Sequence, residues 1–216
     1  EDPVEFYHPN RMSIINQREV GVDTTSYARA LKASLREAPV VILIGEIRDH
    51  ETAEIAIESA LTGHLVFSTL HTNDAAGAVT RMQDMGVESY LISSSLLGIQ
   101  AQRLVRRVCT DCAEDVSLNE DEAAVLEVKQ KDCPAIKRGT GCERCGDTGY
   151  RGRVGLYELL VMTDEIRHLI TSGADANVIR KQGIKDGMKT LREDALEKLK
   201  IGLTTPEEVV RVTRAV

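Results

Sequence analysis

Two short apolar runs flank a stretch of helical periodicity in the first third of the chain. Residues 40–44 are Val-Val-Ile-Leu-Ile, and residues 65–67 are Leu-Val-Phe. A continuous apolar run is typical of a strand buried on both faces. Between the runs, apolar residues recur about every 3.6 positions, which predicts an amphipathic helix. The pattern therefore predicts two parallel strands joined by a helix, the connection that parallel strands require.

The same periodicities predict the other elements. We expect helices over residues 24–38, 74–85, 88–102, 121–128, 164–172, 174–182, 188–200 and 206–212, and strands over residues 12–17, 103–108 and 153–161. Thr205 and Glu208 have the spacing of a capping box, in which the glutamate caps the start of the last helix. The predicted fold class is α/β, with a sheet core flanked by helices and a C-terminal helical subdomain.

Polar residues follow each of the two apolar runs. Glu46 comes directly after the first strand, and His71 follows the second. In open α/β sheets, ligands bind at the carboxyl ends of the strands. A carboxylate and an imidazole at neighbouring strand ends indicate hydrolysis or phosphoryl transfer. By itself, a lone histidine is more often a structural residue than a functional one.

Composition and charge narrow the functional classes. The chain has 216 residues, 42% of them hydrophobic, which is enough for one hydrophobic core and a small additional subdomain. Its net charge of -7 and its 3% aromatic residues argue against nucleic-acid binding. No apolar run approaches the roughly 18 residues of a membrane span, and no secretory signal is visible.

The cysteines form two pairs with the spacing of metal ligands. Cys109 and Cys112 make one C-x-x-C turn, and Cys142 and Cys145 make another. Four thiolates delivered by two such turns suit Zn²⁺ in a closed structural site. The alternative is a redox dithiol or an accidental pairing. Cys133 has no such partner and is expected to be a free thiol.

The two predicted strand ends lie in longer segments, residues 41–49 (VILIGEIRD) and residues 68–82 (STLHTNDAAGAVTRM). The first resembles the atypical Walker B segment, and the second the histidine box, of the hexameric ATPases that power type II secretion and type IV pilus assembly. The opening residues 1–5 resemble the aspartate box of that family. Residues 16–21 and 101–109 match further segments of it.

The resemblance implies a domain organisation and an incomplete nucleotide site. Residues 1–108 would form part of a RecA-like sheet core, residues 109–150 a tetracysteine zinc subdomain, and residues 151–216 a strand with a C-terminal helical subdomain. No G-x-x-x-x-G-K-[ST] motif, the loop that holds nucleotide phosphates, occurs in the sequence. We therefore expect a parent protein that hydrolyses ATP, and a chain that starts after this loop and is inactive alone.

The resemblance also assigns roles to acidic residues and one histidine. Glu1 would be the catalytic carboxylate that positions or activates the attacking water. Glu46 would be the Walker B carboxylate, acting on Mg²⁺ through water or on the attacking water. His71 would sense the γ-phosphate of ATP.

Three further residues are candidates for the nucleotide site. Asp2 would support the metal shell. Arg18 would act in a neighbouring subunit's site, although a surface arginine is an equal alternative. Arg48 would reach phosphate, but a structural salt bridge is the favoured interpretation.

The implied partners are those of a secretion motor. The resemblance predicts a homo-hexamer that acts on an inner-membrane platform protein, in the cytoplasm at the periphery of a bacterial inner membrane. The tetracysteine module favours secretion or pilus extension over retraction, because many retraction relatives lack it. The alternative function is a zinc-stabilised protein-interaction module without ATP turnover of its own.

Overall fold

The computed structural model describes residues 1–133 and 136–213. The helices are α1 Tyr27–Ser34, α2 His50–Leu61, α3 Ala75–Asp84, α4 Ser89–Ser95, α5 Glu120–Leu126, α6 Asp164–Thr171, α7 Ala176–Lys185, α8 Leu191–Lys200 and α9 Pro206–Thr213. The strands are β1 Val41–Ile44, β2 Leu65–Ser68, β3 Gly98–Val108, β4 Ala113–Val116, β5 Ile136–Gly139 and β6 Tyr150–Val161. The predicted α/β class is confirmed as a mixture of helices and sheets.

The contacts divide the chain into two compact units. The first unit contains residues 1–72, 76–97 and 162–179, and the second contains residues 73–75, 98–161 and 180–216. The division into three domains that the sequence suggests stays a prediction. Among the described residues, no helix is long and apolar enough to cross a membrane.

The first unit is built on the predicted strand–helix–strand segment. β1 pairs in parallel with β2, with Ile42 opposite Val66. Asp49 caps α2, because its side chain accepts a hydrogen bond of 2.8 Å from the backbone amide of Thr52. The core of this unit packs apolar residues of α1, α2 and β1, namely Ala28, Leu31, Ile42, Ile44, Ile55 and Ala56.

The prediction that both strands are buried on both faces is wrong. Only one face of β1 is covered, and Val41 and Leu43 on the other face are 52% and 64% exposed. Their partners in the register, Leu65 and Phe67 on β2, are 41% and 53% exposed. These four residues define an exposed apolar face, which we call the β1–β2 face. The continuous apolar run correctly predicted a strand with two apolar faces. It could not show whether other parts of the protein cover both of them.

The second unit is organised around a long antiparallel ribbon. β3 pairs with β6 over almost the whole length of both strands, and α8 and α9 pack on the ribbon. β4 pairs with β5 in a separate two-stranded antiparallel sheet, and α5 lies between the two strands in the sequence. The core combines apolar residues of the ribbon with those of α5, α8 and α9; its fully buried members include Val105, Leu126, Ile136, Leu156, Leu191, Leu199 and Val209.

Some predicted elements differ from the structure. The strand predicted over residues 12–17 is absent from that described segment, which has no regular structure. The helix predicted over residues 88–102 ends at Ser95, and residues from Gly98 onward belong to β3 because they pair with β6. α1 begins at Tyr27 rather than at residue 24, because Ser26 caps it. The strand predicted over residues 153–161 is confirmed and begins earlier, at Tyr150.

Candidate functional site

The predicted meeting of Glu46 and His71 is confirmed. His71 Nε2 lies 3.2 Å from Glu46 Oε2. Two hydrogen bonds join the residues that follow β1 and β2. Thr69 Oγ1 donates to the Gly45 carbonyl at 2.6 Å, and the Ile47 amide donates to the Thr69 carbonyl at 3.1 Å. The Glu46 and His71 side chains therefore follow strand ends that these hydrogen bonds hold together.

Glu46 is a sheltered anion, whereas His71 is open to solvent. Their side chains are 13% and 88% exposed. Arg48 forms an ion pair with Glu46, and its other terminal nitrogen lies 3.6 Å from the Asp2 carboxylate. The hydrogen bond from Arg48 lowers the pKa of Glu46 below its ordinary value, with a further contribution from His71. Glu46 is therefore ionised at neutral pH, and the salt bridge favoured for Arg48 is present.

Glu1 lies beside the same strand end. Gln17 Nε2 donates to Glu1 Oε2 at 2.8 Å, and the backbone of Glu1 is fixed by hydrogen bonds to the Arg18 carbonyl and from the Val20 amide, both of 2.9 Å. A Cβ placed on Gly45 would lie 3.4 Å from the Cα of Glu1. The residue before Glu46 is thus in close contact with Glu1, and three acids, Glu1, Asp2 and Glu46, gather at one end of β1.

Two residues that sequence reasoning did not assign to the site support it. The Tyr27 hydroxyl would lie 3.1 Å from a Cβ on Gly45. Burial raises the pKa of Tyr27, and the neighbouring Asp2 and Glu46 raise it further. Periodicity placed Tyr27 on the apolar side of α1, and no signal in the sequence links it to Glu46. Gln17 lies in the family-like segment 16–21, which could have suggested its role.

Arg18 is turned toward a different partner. Its guanidinium forms an ion pair with Glu37, which also accepts a hydrogen bond of 3.3 Å from Asn16. Arg18 and Arg29 line an open cleft with residues 21–25. Arg18 is not brought to Glu46, and its action in a neighbouring subunit stays a prediction.

The four cysteines of the C-x-x-C pairs converge on one point. Their sulfur atoms all lie within 4.8 Å of one another. The Sγ–Sγ distances are 3.9 Å for Cys109–Cys142 and for Cys112–Cys145, and 3.7 Å for Cys142–Cys145. A tetrahedral zinc with Zn–S bonds of about 2.3 Å requires sulfurs roughly 3.8 Å apart. The sulfur positions therefore fit a tetrahedral Zn²⁺ site.

Glycines on either side of the second cysteine turn, Cys142–Cys145, allow the chain to cross itself closely. A Cβ on Gly139 would lie 2.1 Å from the Gly149 carbonyl oxygen, so no larger residue fits at this crossing. Gly149 also accepts a hydrogen bond from the Cys109 amide at 2.9 Å, which connects the end of β3 to the second cysteine turn. Its φ of 75° is in the left-handed region that glycine adopts without strain.

The surroundings of the thiols differ. Burial opposes ionisation of Cys145, but hydrogen bonds from the amides of Cys142 and Gly149 lower its pKa to about 6. Burial raises the pKa of Cys112 to about 12. Asp111 lies beside the cluster, 3.5 Å from Arg144. Cys133 is buried in the apolar core of the second unit, apart from this cluster.

Fold and site together define a mixed α/β protein with an acid–imidazole cluster at the ends of parallel strands and a separate four-cysteine centre. The family model described as "Type II/IV secretion system protein" matches residues 1–211. The chain belongs to this family.

Curated relatives of this chain are named as ATPases of type IV pilus assembly and of type II secretion. The chain is 50% identical to the type IV pilus assembly ATPase PilB of Thermus thermophilus and 48% identical to the type II secretion system ATPase E of Vibrio cholerae. Each alignment covers 99% of this chain. The chain spans only 24% of the length of the first relative and 42% of the second.

Solved structures show the same fold. The pilus retraction motor PilT, solved with bound ADP, superposes with a TM-score of 0.71 at 34% identity, over 99% of this chain and 51% of that chain. The ATPase DotB of Legionella pneumophila superposes with a TM-score of 0.67 at 22% identity, over 94% of this chain and 46% of its own, and supports the fold alone.

Proposed function

We propose that this chain is the C-terminal part of a hexameric ATPase motor that hydrolyses ATP to power type II protein secretion or type IV pilus assembly. The observation that carries the proposal is the Glu46–His71 pair at the ends of β1 and β2, in a family whose relatives PilB and the Vibrio protein are named as ATPases. The first 108 residues would contribute part of a RecA-like core, completed by sequence that the longer relatives possess.

The geometry supports separate roles for the clustered residues. Glu46 is ionised and sheltered, as suits a carboxylate that orients water or metal. Glu1, held by Gln17, would position or activate the attacking water. His71, exposed and next to Glu46, is free to contact the γ-phosphate of ATP. Arg48 would keep Glu46 anionic and in place.

Magnesium suits this donor set. Glu46 and Asp2 supply the carboxylate oxygens that Mg²⁺ prefers, and Glu46 remains ionised at neutral pH. When bound, Mg²⁺ supplies positive charge that neutralises the phosphates during transfer. The loop that cradles those phosphates is absent from the sequence, and we propose that the full-length protein provides it.

The assembly and its location complete the proposal. Zn²⁺ would bind Cys109, Cys112, Cys142 and Cys145 as a structural ion. Six subunits would act in the cytoplasm on a platform protein of the bacterial inner membrane, with Arg18 serving a neighbouring subunit's site.

The test is Mg²⁺-dependent ATP turnover by the 216-residue chain and by the full-length protein that contains it. We expect turnover from the full-length protein alone. Glu46→Gln should lower kcat by about 100-fold or more, because it removes the anion that orients the reacting groups. Glu54→Gln is the matched control, since Glu54 is an exposed acid on α2 of the same unit, and it should leave kcat unchanged.

Two results would contradict the motor proposal. One is a full-length hexamer that hydrolyses no ATP, and the other is equal turnover by the Glu46→Gln and wild-type proteins. Zinc-dependent binding of a partner protein without turnover would instead favour the interaction-module alternative.

A further inference from the structure

Charged residues of opposite sign occupy matching positions in the two cysteine turns. Asp111 is the third residue of the first turn, residues 109–112, and Arg144 is the third residue of the second turn, residues 142–145. Arg144 Nη1 lies 3.5 Å from Asp111 Oδ1, and Arg151 Nη1 lies 3.5 Å from Asp111 Oδ2. Arg151 is the second residue of β6. One carboxylate of the first turn is therefore ion-paired with the second turn and with the strand that follows it.

The same carboxylate lies close to a sulfur of the cluster. Asp111 Oδ2 is 3.9 Å from Cys109 Sγ. Four thiolates around Zn²⁺ give the centre a net negative charge, which repels a carboxylate at this distance. The position therefore disfavours an acid unless other contacts outweigh the repulsion. Asp111 has such contacts in Arg144 and Arg151, which bring positive charge to the carboxylate.

Backbone hydrogen bonds join the first turn to the residues that flank the second. The Cys109 amide donates to the Gly149 carbonyl at 2.9 Å, and the Thr140 amide donates to the Cys112 carbonyl at 3.0 Å. In the part of the chain that the structure describes, no backbone hydrogen bond joins the middle of the second turn, residues 143–144, to the first turn. The ion pair between the two charged side chains makes that connection instead.

We propose that Asp111 is a positioning residue for the zinc centre, a role that rests on the structural zinc of the proposed function. By pairing with Arg144, Asp111 holds the middle of the second turn against the first and keeps the sulfurs at the spacing that a tetrahedral ion requires. Loss of a contact that orients the ligands of a metal typically weakens metal binding by about 10- to 100-fold. The side chains of Arg144 and Arg151 are 69% and 57% exposed, so water screens both ion pairs, and we expect an effect of about tenfold.

The test measures zinc affinity in the full-length protein rather than ATP turnover. Each protein is loaded with Zn²⁺ and titrated with a chromophoric zinc chelator, whose absorbance reports the zinc that it removes. Asp111→Asn keeps the size of the side chain but removes its charge, and we expect it to weaken the apparent affinity about tenfold. Asp115→Asn is the matched control, because Asp115 forms an exposed ion pair with Lys137 at 3.3 Å, and it should leave the affinity unchanged.

The sign of the change separates the positioning role from simple repulsion. If repulsion between Asp111 and the thiolates dominated, Asp111→Asn would tighten zinc binding. The positioning role predicts weaker binding, and Asp111→Glu, which keeps the charge and can still reach the exposed arginines, should retain most of the wild-type affinity. Affinity in Asp111→Asn that equals or exceeds that of the wild type, or an equal loss in Asp115→Asn, would overturn the proposal.

Arg144 provides an independent test of the ion pair. We expect Arg144→Gln to weaken zinc binding as well. The double variant with Asp111→Asn should lose less than the product of the two single losses, because the first change already breaks the contact. Losses that multiply without interaction would contradict a link through Arg144.

Zinc content separates this inference from the zinc site on which it rests. A wild-type protein that binds no Zn²⁺ would overturn both. One Zn²⁺ per wild-type chain with unchanged affinity in Asp111→Asn would overturn the role of Asp111 alone and leave the structural zinc intact. Absence of ATP turnover by the full-length protein would contradict the motor proposal without affecting either.

Discussion

Glu208 shows how one residue can take a role that its local sequence does not reveal. The capping-box spacing predicts that it caps α9, but its carboxylate accepts hydrogen bonds from the backbone amide and Nε of Arg106 and from two guanidinium nitrogens of Arg211. Burial raises the pKa of Glu208, but these hydrogen bonds outweigh it and lower the pKa to about 2. Glu208 thereby joins α9 to β3, which are far apart in the sequence.

This lowered pKa predicts a pH-dependent contribution to stability. The pKa of Glu208 in the folded protein lies below its ordinary value of 4.5, so ionised Glu208 stabilises the fold above about pH 4.5 and loses that contribution as the pH falls toward 2. We expect Glu208→Gln to lower the free energy of unfolding by about 2 kcal/mol at pH 7. The loss stays moderate because Arg106 and Arg211 are half exposed and remain solvated.

Urea unfolding of the wild-type and variant proteins at pH 7 and pH 3 measures the effect. The difference between the two proteins should shrink at pH 3. Glu207→Gln is the neighbouring control, because Glu207 pairs with Arg138 at an exposed position and should contribute less than about 1 kcal/mol. A difference for Glu208→Gln that is the same at both pH values would contradict the assignment.

At the scale of elements, local signals predicted what local interactions determine. α2 was predictable because Asp49 caps it and apolar residues follow the helical period throughout. The boundary between α4 and β3 was not, because residues 99–102 adopt a strand through pairing with β6, more than 50 residues later in the sequence. Likewise, the Glu46–His71 pair follows from strand order, whereas Tyr27 and Gln17 reach the site through tertiary contacts that no spacing encodes.

The prediction at the scale of elements concerns zinc binding by the cluster of four cysteines, Cys109, Cys112, Cys142 and Cys145. We expect one Zn²⁺ per chain after purification, measured by elemental analysis, because the sulfur spacing fits a tetrahedral site. Cys145→Ser should abolish stoichiometric zinc binding and lower Tm by about 5 °C or more, since structural zinc contributes folding free energy. Cys133→Ala, which removes the buried thiol outside the cluster, should retain one zinc. Full zinc occupancy in Cys145→Ser would show that the four-sulfur assignment is wrong.

At the scale of the whole molecule, the β1–β2 face is an apolar surface that is exposed to solvent. A parallel strand pair is normally covered on both sides, yet Val41, Leu43, Leu65 and Phe67 are exposed together. A contiguous apolar patch of this kind is typical of an interaction surface. This exposure agrees with the proposal that the chain contributes only part of a sheet core, since it spans 24% and 42% of the two curated relatives.

The exposed face predicts the behaviour of the 216-residue chain in solution. We expect concentration-dependent association in sedimentation velocity and binding of the dye ANS, because apolar area exposed on one face is removed from water by self-contact. The double variant Leu43→Thr with Phe67→Thr should reduce both, while threonine keeps the β-propensity of the strands. Ile201→Thr changes an exposed apolar residue outside this face and should have no effect. If the double variant associates as strongly as the wild-type chain, the contact lies elsewhere, and the β1–β2 face no longer supports an incomplete sheet core.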